Sequence, residues 1–136
     1  MTLRGPAVVG AVLVAALLAG CSGPSAATSS SGHTIALATQ PASAAEEALA
    51  QGSVSWGDDG CLVLDGDQPV LVVFPYGTRL DGDTVTLPGG ETIEAGDDVA
   101  LGGGFHDVVT SVEKLADVPP DCLTPEVFWA SGEVGE

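Results

Sequence analysis

Two textures of hydrophobic patterning divide the chain. Ala7 to Leu18 (AVVGAVLVAALL) is an unbroken apolar run without helical or strand alternation. At about a dozen residues it falls short of the ~20 that a bilayer-spanning helix needs. From about Gly52 the pattern changes to short β-favouring runs: Ser53–Trp56, Cys61–Leu64, Val70–Phe74, Thr84–Leu87, Glu91–Glu94 and Val99–Leu101. Between them stand Gly57-Asp58-Asp59-Gly60, Asp65-Gly66-Asp67, Asp81-Gly82-Asp83, Pro88-Gly89-Gly90 and Gly96-Asp97-Asp98. Asp-Gly and Gly-Gly pairs supply the positive φ that tight hairpins require. Many short strands punctuated in this way predict an antiparallel sandwich or a small barrel.

Val70–Phe74 is the longest apolar run of this half and reads as a central strand buried on both faces. Val85, Leu87 and Ile93 alternate as a half-buried hairpin does, across Pro88-Gly89-Gly90. Val108, Val109, Val112, Leu115 and Ala116 follow helical spacing, with Asp107 placed to cap the start. Their β-branching opposes that helix. Val127–Ala130 reads as a closing strand, with Thr124-Pro125-Glu126 as a rival helix start. Gly102-Gly103-Gly104 lacks the Lys and spacing of a phosphate loop, and marks a bulge or close backbone approach in a tightly curled sheet.

Ser22 to Gln51 is rich in Ser, Ala, Thr, Gly and Pro. Few large apolar groups are available to offset the entropy of ordering it, so a flexible tether is expected, about 30 Å end to end. Within it Ala42–Ala50 is a candidate short helix, and His33 is expected to be solvated. The organisation predicted is residues 1–20 as a signal peptide, 21–51 as a lipidated Cys with its tether, and 52–136 as one small β domain.

Composition sharpens the address. Arg4 precedes the apolar run, and Leu18-Ala19-Gly20-Cys21 follows it. That tetrapeptide resembles the bacterial lipobox. The resemblance implies cleavage before Cys21 and lipidation of its thiol with a diacylglyceryl group, which supplies the two chains that stable anchoring needs. The expected place is the cell membrane, lipid-anchored on its extracytoplasmic face. The cleaved chain would keep two bases, Arg79 and Lys114, against nineteen acids, a net charge of −17. Phosphate backbones are gripped by Lys and Arg, so no nucleic-acid partner is expected. After lipidation Cys61 and Cys122 are the remaining thiols. In an oxidising compartment, with no C-x-x-C, they are expected to form a disulfide rather than a metal or redox pair.

Candidate chemistry is sparse. Asp65-Gly66-Asp67 and Asp81-Gly82-Asp83 begin like calcium loops but continue as Gln68-Pro69 and Thr84-Val85, which do not fit. Asp58, Asp59 and a turn Asp from elsewhere remain the material for a cation site, against the simpler reading of hairpin turns. His106-Asp107 is the only adjacent acid–imidazole pair, and neither Ser111 nor Thr110 beside it has an oxyanion hole written nearby. Phe74-Pro75-Tyr76-Gly77-Thr78-Arg79 reads either as an exposed aromatic and Arg patch or as a strand-ending turn, with Phe74 in the core and Arg79 paired to an Asp.

Gly60 to Asp107 resembles a small β domain of unknown function found in exported lipoproteins of high-GC Gram-positive (actinobacterial) bacteria. The shared pattern is a Gly-Cys-Leu strand, an apolar strand ending in aromatic-Pro-x-Gly-Thr, a Gly-containing hairpin, then Gly-Asp and a glycine run. Phe74 stands where that family often has Trp. The resemblance implies a compact β unit and a bridge from Cys61, and nothing about a substrate. The fold class expected is therefore mainly β, a small antiparallel barrel (OB-like or related) with one disulfide. The function expected is a non-enzymatic interaction or ligand-binding module of the envelope, with a protein or glycan partner and no cofactor. The alternative is a domain that binds, or is stabilised by, a divalent cation.

Overall fold

A computed structural model describes residues 23–42 and 46–135. The segment read as a signal peptide and Cys21 lie outside these residues. The described chain forms ten strands: β1 (Ala26–Thr28), β2 (Thr34–Leu37), β3 (Ala48–Trp56), β4 (Leu62–Leu64), β5 (Val70–Phe74), β6 (Arg79–Asp81), β7 (Thr84–Thr86), β8 (Thr92–Ile93), β9 (Asp98–Asp107) and β10 (Glu126–Gly135). Between β9 and β10 lie one helical turn, α1 (Val108–Ser111), and two 3-10 turns, Val112–Leu115 and Pro120–Cys122. Asp107 precedes α1 as expected, but its side chain makes no capping hydrogen bond.

Five strands close into a barrel. β3 pairs with β4, β4 with β5, β5 with β10, β10 with β9, and β9 with β3 again. Counted in chain order, the barrel strands run 1-2-3-5-4 around the ring, the OB arrangement. The seam between β5 and β10 is parallel, with Val127 opposite Leu71 and Trp129 opposite Val73, and the other four pairings of the ring are antiparallel, so the expected small OB-like barrel is the one observed. A parallel seam requires a long return connection, and the chain supplies one through β6–β9.

Alternation along the strands builds two apolar layers. Val72 and Phe74 of β5 point inward with Val54, Leu62, Leu101 and Phe128. Leu71 and Val73 point outward and are covered by Leu115, Val118 and Cys122 from the β9–β10 connection. That explains why Val70–Phe74 reads as doubly buried. The small sheet β6–β7–β8 adds Val85, Leu87 and Ile93 to the inner layer. The glycine run lies inside β9, where that strand pairs on both sides. A Cβ on Gly103 would overlap the carbonyl of Trp129, so close approach, not phosphate binding, accounts for it.

The N-terminal segment departs from expectation. Residues read as tether form the hairpin β1–β2, in register Ala26 opposite Ala36. β2 then lies parallel to β5, with Ala36 opposite Val73, beside the stretch where β4 pairs with Val70 and Leu71. Ile35 and Ala36 are fully buried. Thr34-Ile35-Ala36-Leu37 is a β-capable run hidden in a polar background, and the open edge of β5 gives it a ladder to complete. The helix expected over 42–50 is also replaced: Ala48–Gln51 begin β3, paired with Ala100–Gly103 of β9. The boundary at 52 therefore falls inside a strand. Residues 43–45 lie outside the described chain.

Candidate binding site

The turn that joins β3 to β4 is held by its own backbone. Gly60 N–H donates to Gly57 C=O at 2.8 Å, and Gly57 N–H donates to Cys61 C=O at 2.8 Å. Gly60 sits at φ +83°, which a side chain would strain. Asp58 and Asp59 project from this turn and are exposed. Across from it, Cys61 and Cys122 are joined, with 5.8 Å between their Cα atoms. The bridge fixes the segment after Pro119-Pro120, and Leu71 N–H donates to Thr124 Oγ1 at 2.9 Å to seat it against β5. Asp65, at the end of β4, accepts from Ser55 Oγ at 2.6 Å.

These elements enclose an open groove of about 610 Å³. Its lining includes Asp58, Asp59, Asp65, Asp67 and Asp121, five carboxylates with no Lys or Arg. Trp56 and Val63 supply apolar wall, and the disulfide lies at its floor. In barrel terms the groove spans the first-to-second-strand loop, strand two, and the fourth-to-fifth-strand loop. OB folds take oligonucleotide and oligosaccharide ligands in this region.

One edge of the groove is stiffened by the hairpin. His33 stacks on Trp56 with ring centroids 4.3 Å apart and planes 4° from parallel. His33 Nδ1 lies 3.0 Å from Asp83 Oδ1, an ion pair when the ring is protonated, though out of line for a hydrogen bond. Asp83 also accepts from Ser31 Oγ at 2.7 Å and Ser29 Oγ at 2.9 Å. Chiefly the Ser31 hydroxyl, then His33 and the Ser29 hydroxyl, hold the Asp83 carboxyl below its ordinary value, against slight desolvation. His33 is thus a packed side chain instead of a solvated one. Its partners lie 23 and 50 residues away, beyond any local signal.

A second cleft, of about 390 Å³, lies at the far end of β5. It is lined by Ala38–Ala42, Pro75, Tyr76, Lys114 and Trp129–Ser131, with no carboxylate among the described residues. Lys114 Nζ sits 5.9 Å from the centre of the Trp129 ring, within cation–π range. The text Phe74–Arg79 is a strand-ending turn: Phe74 is buried, and Thr78 Oγ1 donates to Pro75 C=O at 2.7 Å. Among the described residues no carboxylate lies within ion-pair range of Arg79, so the expected Asp partner is absent there.

His106 pairs with Glu46, at 2.9 and 3.1 Å, and not with its neighbour Asp107. Thr110 Oγ1 donates to Asp107 C=O, and Ser111 Oγ accepts from Trp129 Nε1. Neither hydroxyl bonds His106, so among the described residues the geometry assembles a His–Glu pair with no nucleophile bonded to it. Among the described residues no three His, Cys, Asp or Glu side chains converge to hold a metal ion. The groove aspartates are thus spread along a surface, not gathered around one point. No helix of the described residues is long and apolar enough to cross a membrane. No protein-family profile, no curated protein and no solved structure matches the chain.

Proposed function

We propose that this is a lipid-anchored extracytoplasmic lipoprotein, akin to the exported actinobacterial domain it resembles, whose barrel acts as a non-enzymatic binding module. Its groove takes a cationic segment of an envelope protein. The observation that carries this reading is the groove itself: five aspartates and an aromatic wall, without a base, across the loops where OB barrels hold ligands. Like charges lining one concave surface focus a negative potential and raise the local concentration of cations. Lys and Arg side chains of a partner would meet the carboxylates while their methylene stems cover Trp56 and Val63.

Calorimetric titration with a short oligolysine peptide tests this. Binding is expected, weakening as salt rises toward 0.15 M, where charges more than about 8 Å apart are screened. The triple variant Asp58→Asn, Asp67→Asn, Asp121→Asn should bind about tenfold more weakly, a loss of about 1.4 kcal/mol. A neutral chito-oligosaccharide that binds while oligolysine does not would replace the cationic partner with a glycan. Stabilisation by millimolar Ca²⁺ beyond NaCl of equal ionic strength would favour the cation-binding alternative. For the anchor, Cys21→Ala should abolish incorporation of labelled fatty acid.

A further inference from the structure

We infer that the cleft around Tyr76, Lys114 and Trp129, whose described lining holds no carboxylate, is the surface that rests on the phospholipid head groups, with the acidic groove turned away from the bilayer; this rests on the proposed lipid at Cys21. The chain joins the fold at this cleft. Gly23 N–H donates to Thr39 C=O at 2.9 Å, and a Cβ on Gly23 would lie 3.4 Å from the Tyr76 ring. Thr39 and Tyr76 both line the cleft. Two residues farther on, Ser25 N–H donates to Asp117 Oδ2 at 2.8 Å and Ser25 Oγ accepts from Asp117 N–H at 2.7 Å, which clamps the strand leading to β1. From Cys21 to Gly23 the chain spans at most about 7 Å. A lipid on Cys21 therefore holds the cleft at head-group level, with no 30 Å tether between.

The chemistry of the cleft suits that place. Tyr and Trp settle at membrane interfaces, apolar body inward and polar tip outward. Tyr76 is 40% exposed, and Trp129 is half-buried beside Lys114, whose ammonium can meet lipid phosphate. Val109 and Val112, 78% and 45% exposed, flank Ser111 on the same helical stretch. Glu46, in the neighbouring hollow, is paired with His106. β5 sets the distance to the groove, since Pro69 lines the groove and Pro75 lines the cleft. Six residues of strand put them about 20 Å apart. That exceeds the screening length of about 8 Å, so the groove carboxylates escape the potential of an anionic leaflet.

The test uses the full-length protein purified from membranes and reconstituted in phosphatidylcholine vesicles brominated near the top of the acyl chain. Trp56→Phe leaves Trp129 as the reporter, and Trp129→Phe leaves Trp56. Trp129 emission should be quenched about twofold more than Trp56, each relative to unbrominated vesicles. Hydrogen exchange on the unsubstituted protein needs no variant. Vesicle binding should slow exchange at residues 38–42 and 75–77 and leave 57–69 unchanged. Equal quenching, or protection at 57–69, in a protein that carries labelled fatty acid would overturn the orientation and leave the anchor intact. A protein that carries no fatty acid would overturn the anchor and the orientation with it.

Discussion

The groove and the cleft are two hollows on opposite ends of one strand, and they divide the charge of the molecule between them. Among the described residues the groove carries five aspartates and no base, and the cleft one lysine, two aromatic rings and no acid. A chain with nineteen acids has carboxylates to spare for both. Their exclusion from the cleft is not explained by burial, since Lys114 and Tyr76 there are exposed. The division teaches that average acidity is a poor guide to any one surface of this protein. It is the turns of the barrel that concentrate carboxylate, because Asp serves their geometry.

The largest expected effect breaks the groove and spares the cleft. The Cys61–Cys122 bridge closes 61 residues of sequence separation and lies at the groove floor. Replacing both by Ala should cost about 4 kcal/mol on the chain-entropy account, read from urea unfolding. Next is the hairpin that joins the two regions. Ile35→Ala should cost about 3 kcal/mol, because the side chain is fully buried in the inner layer. A free tether at this position would lose nothing, so the same urea series discriminates sharply.

A smaller effect levels the charge contrast. Asp58→Asn, Asp67→Asn and Asp121→Asn together should raise the melting temperature at low salt through relief of like-charge repulsion. The gain should shrink as NaCl is added, while wild type itself gains from the salt. Substituting Lys114→Gln should not reproduce that gain. The smallest effect concerns the latch on the groove edge. The Asp83 carboxyl is held low in the folded state, so its contribution is full above the ordinary carboxylate value of about 3.9. It is lost as pH falls through the lowered folded value. Asp83→Asn should remove that acid-limb loss, seen as a shallower drop of the urea midpoint between about pH 5 and pH 3.

Local physics made part of this architecture legible. Alternation and Asp-Gly punctuation placed β4, β5, β7 and β8, because a hairpin turn and its flanking strands are encoded within a few residues. The spacing Val108–Leu115 gave helical turns despite β-branching, since Leu115 and Val118 are needed over the outer face of β5. The pairing of Cys61 with Cys122 is the one expected from their being the two cysteines of the β domain, with Cys21 read apart from it. By contrast, Thr34–Leu37 carries four residues of β pattern in a stretch whose composition argues for coil. Only the unpaired edge of β5 decides the matter.

Residue type and near neighbours set six of the seven strands over 53–101, all but β6 (Arg79–Asp81), together with their turns, the disulfide and the acidity of the chain. Tertiary structure alone decided the closed ring with its parallel β5–β10 seam, the recruitment of the β1–β2 hairpin, the His33–Trp56 stack and the His106–Glu46 pair. It also decided which carboxylates share a groove. The stack and the His–Glu pair join residues 23 and 60 positions apart, and the free energy of such features comes from burying surface that no local window contains.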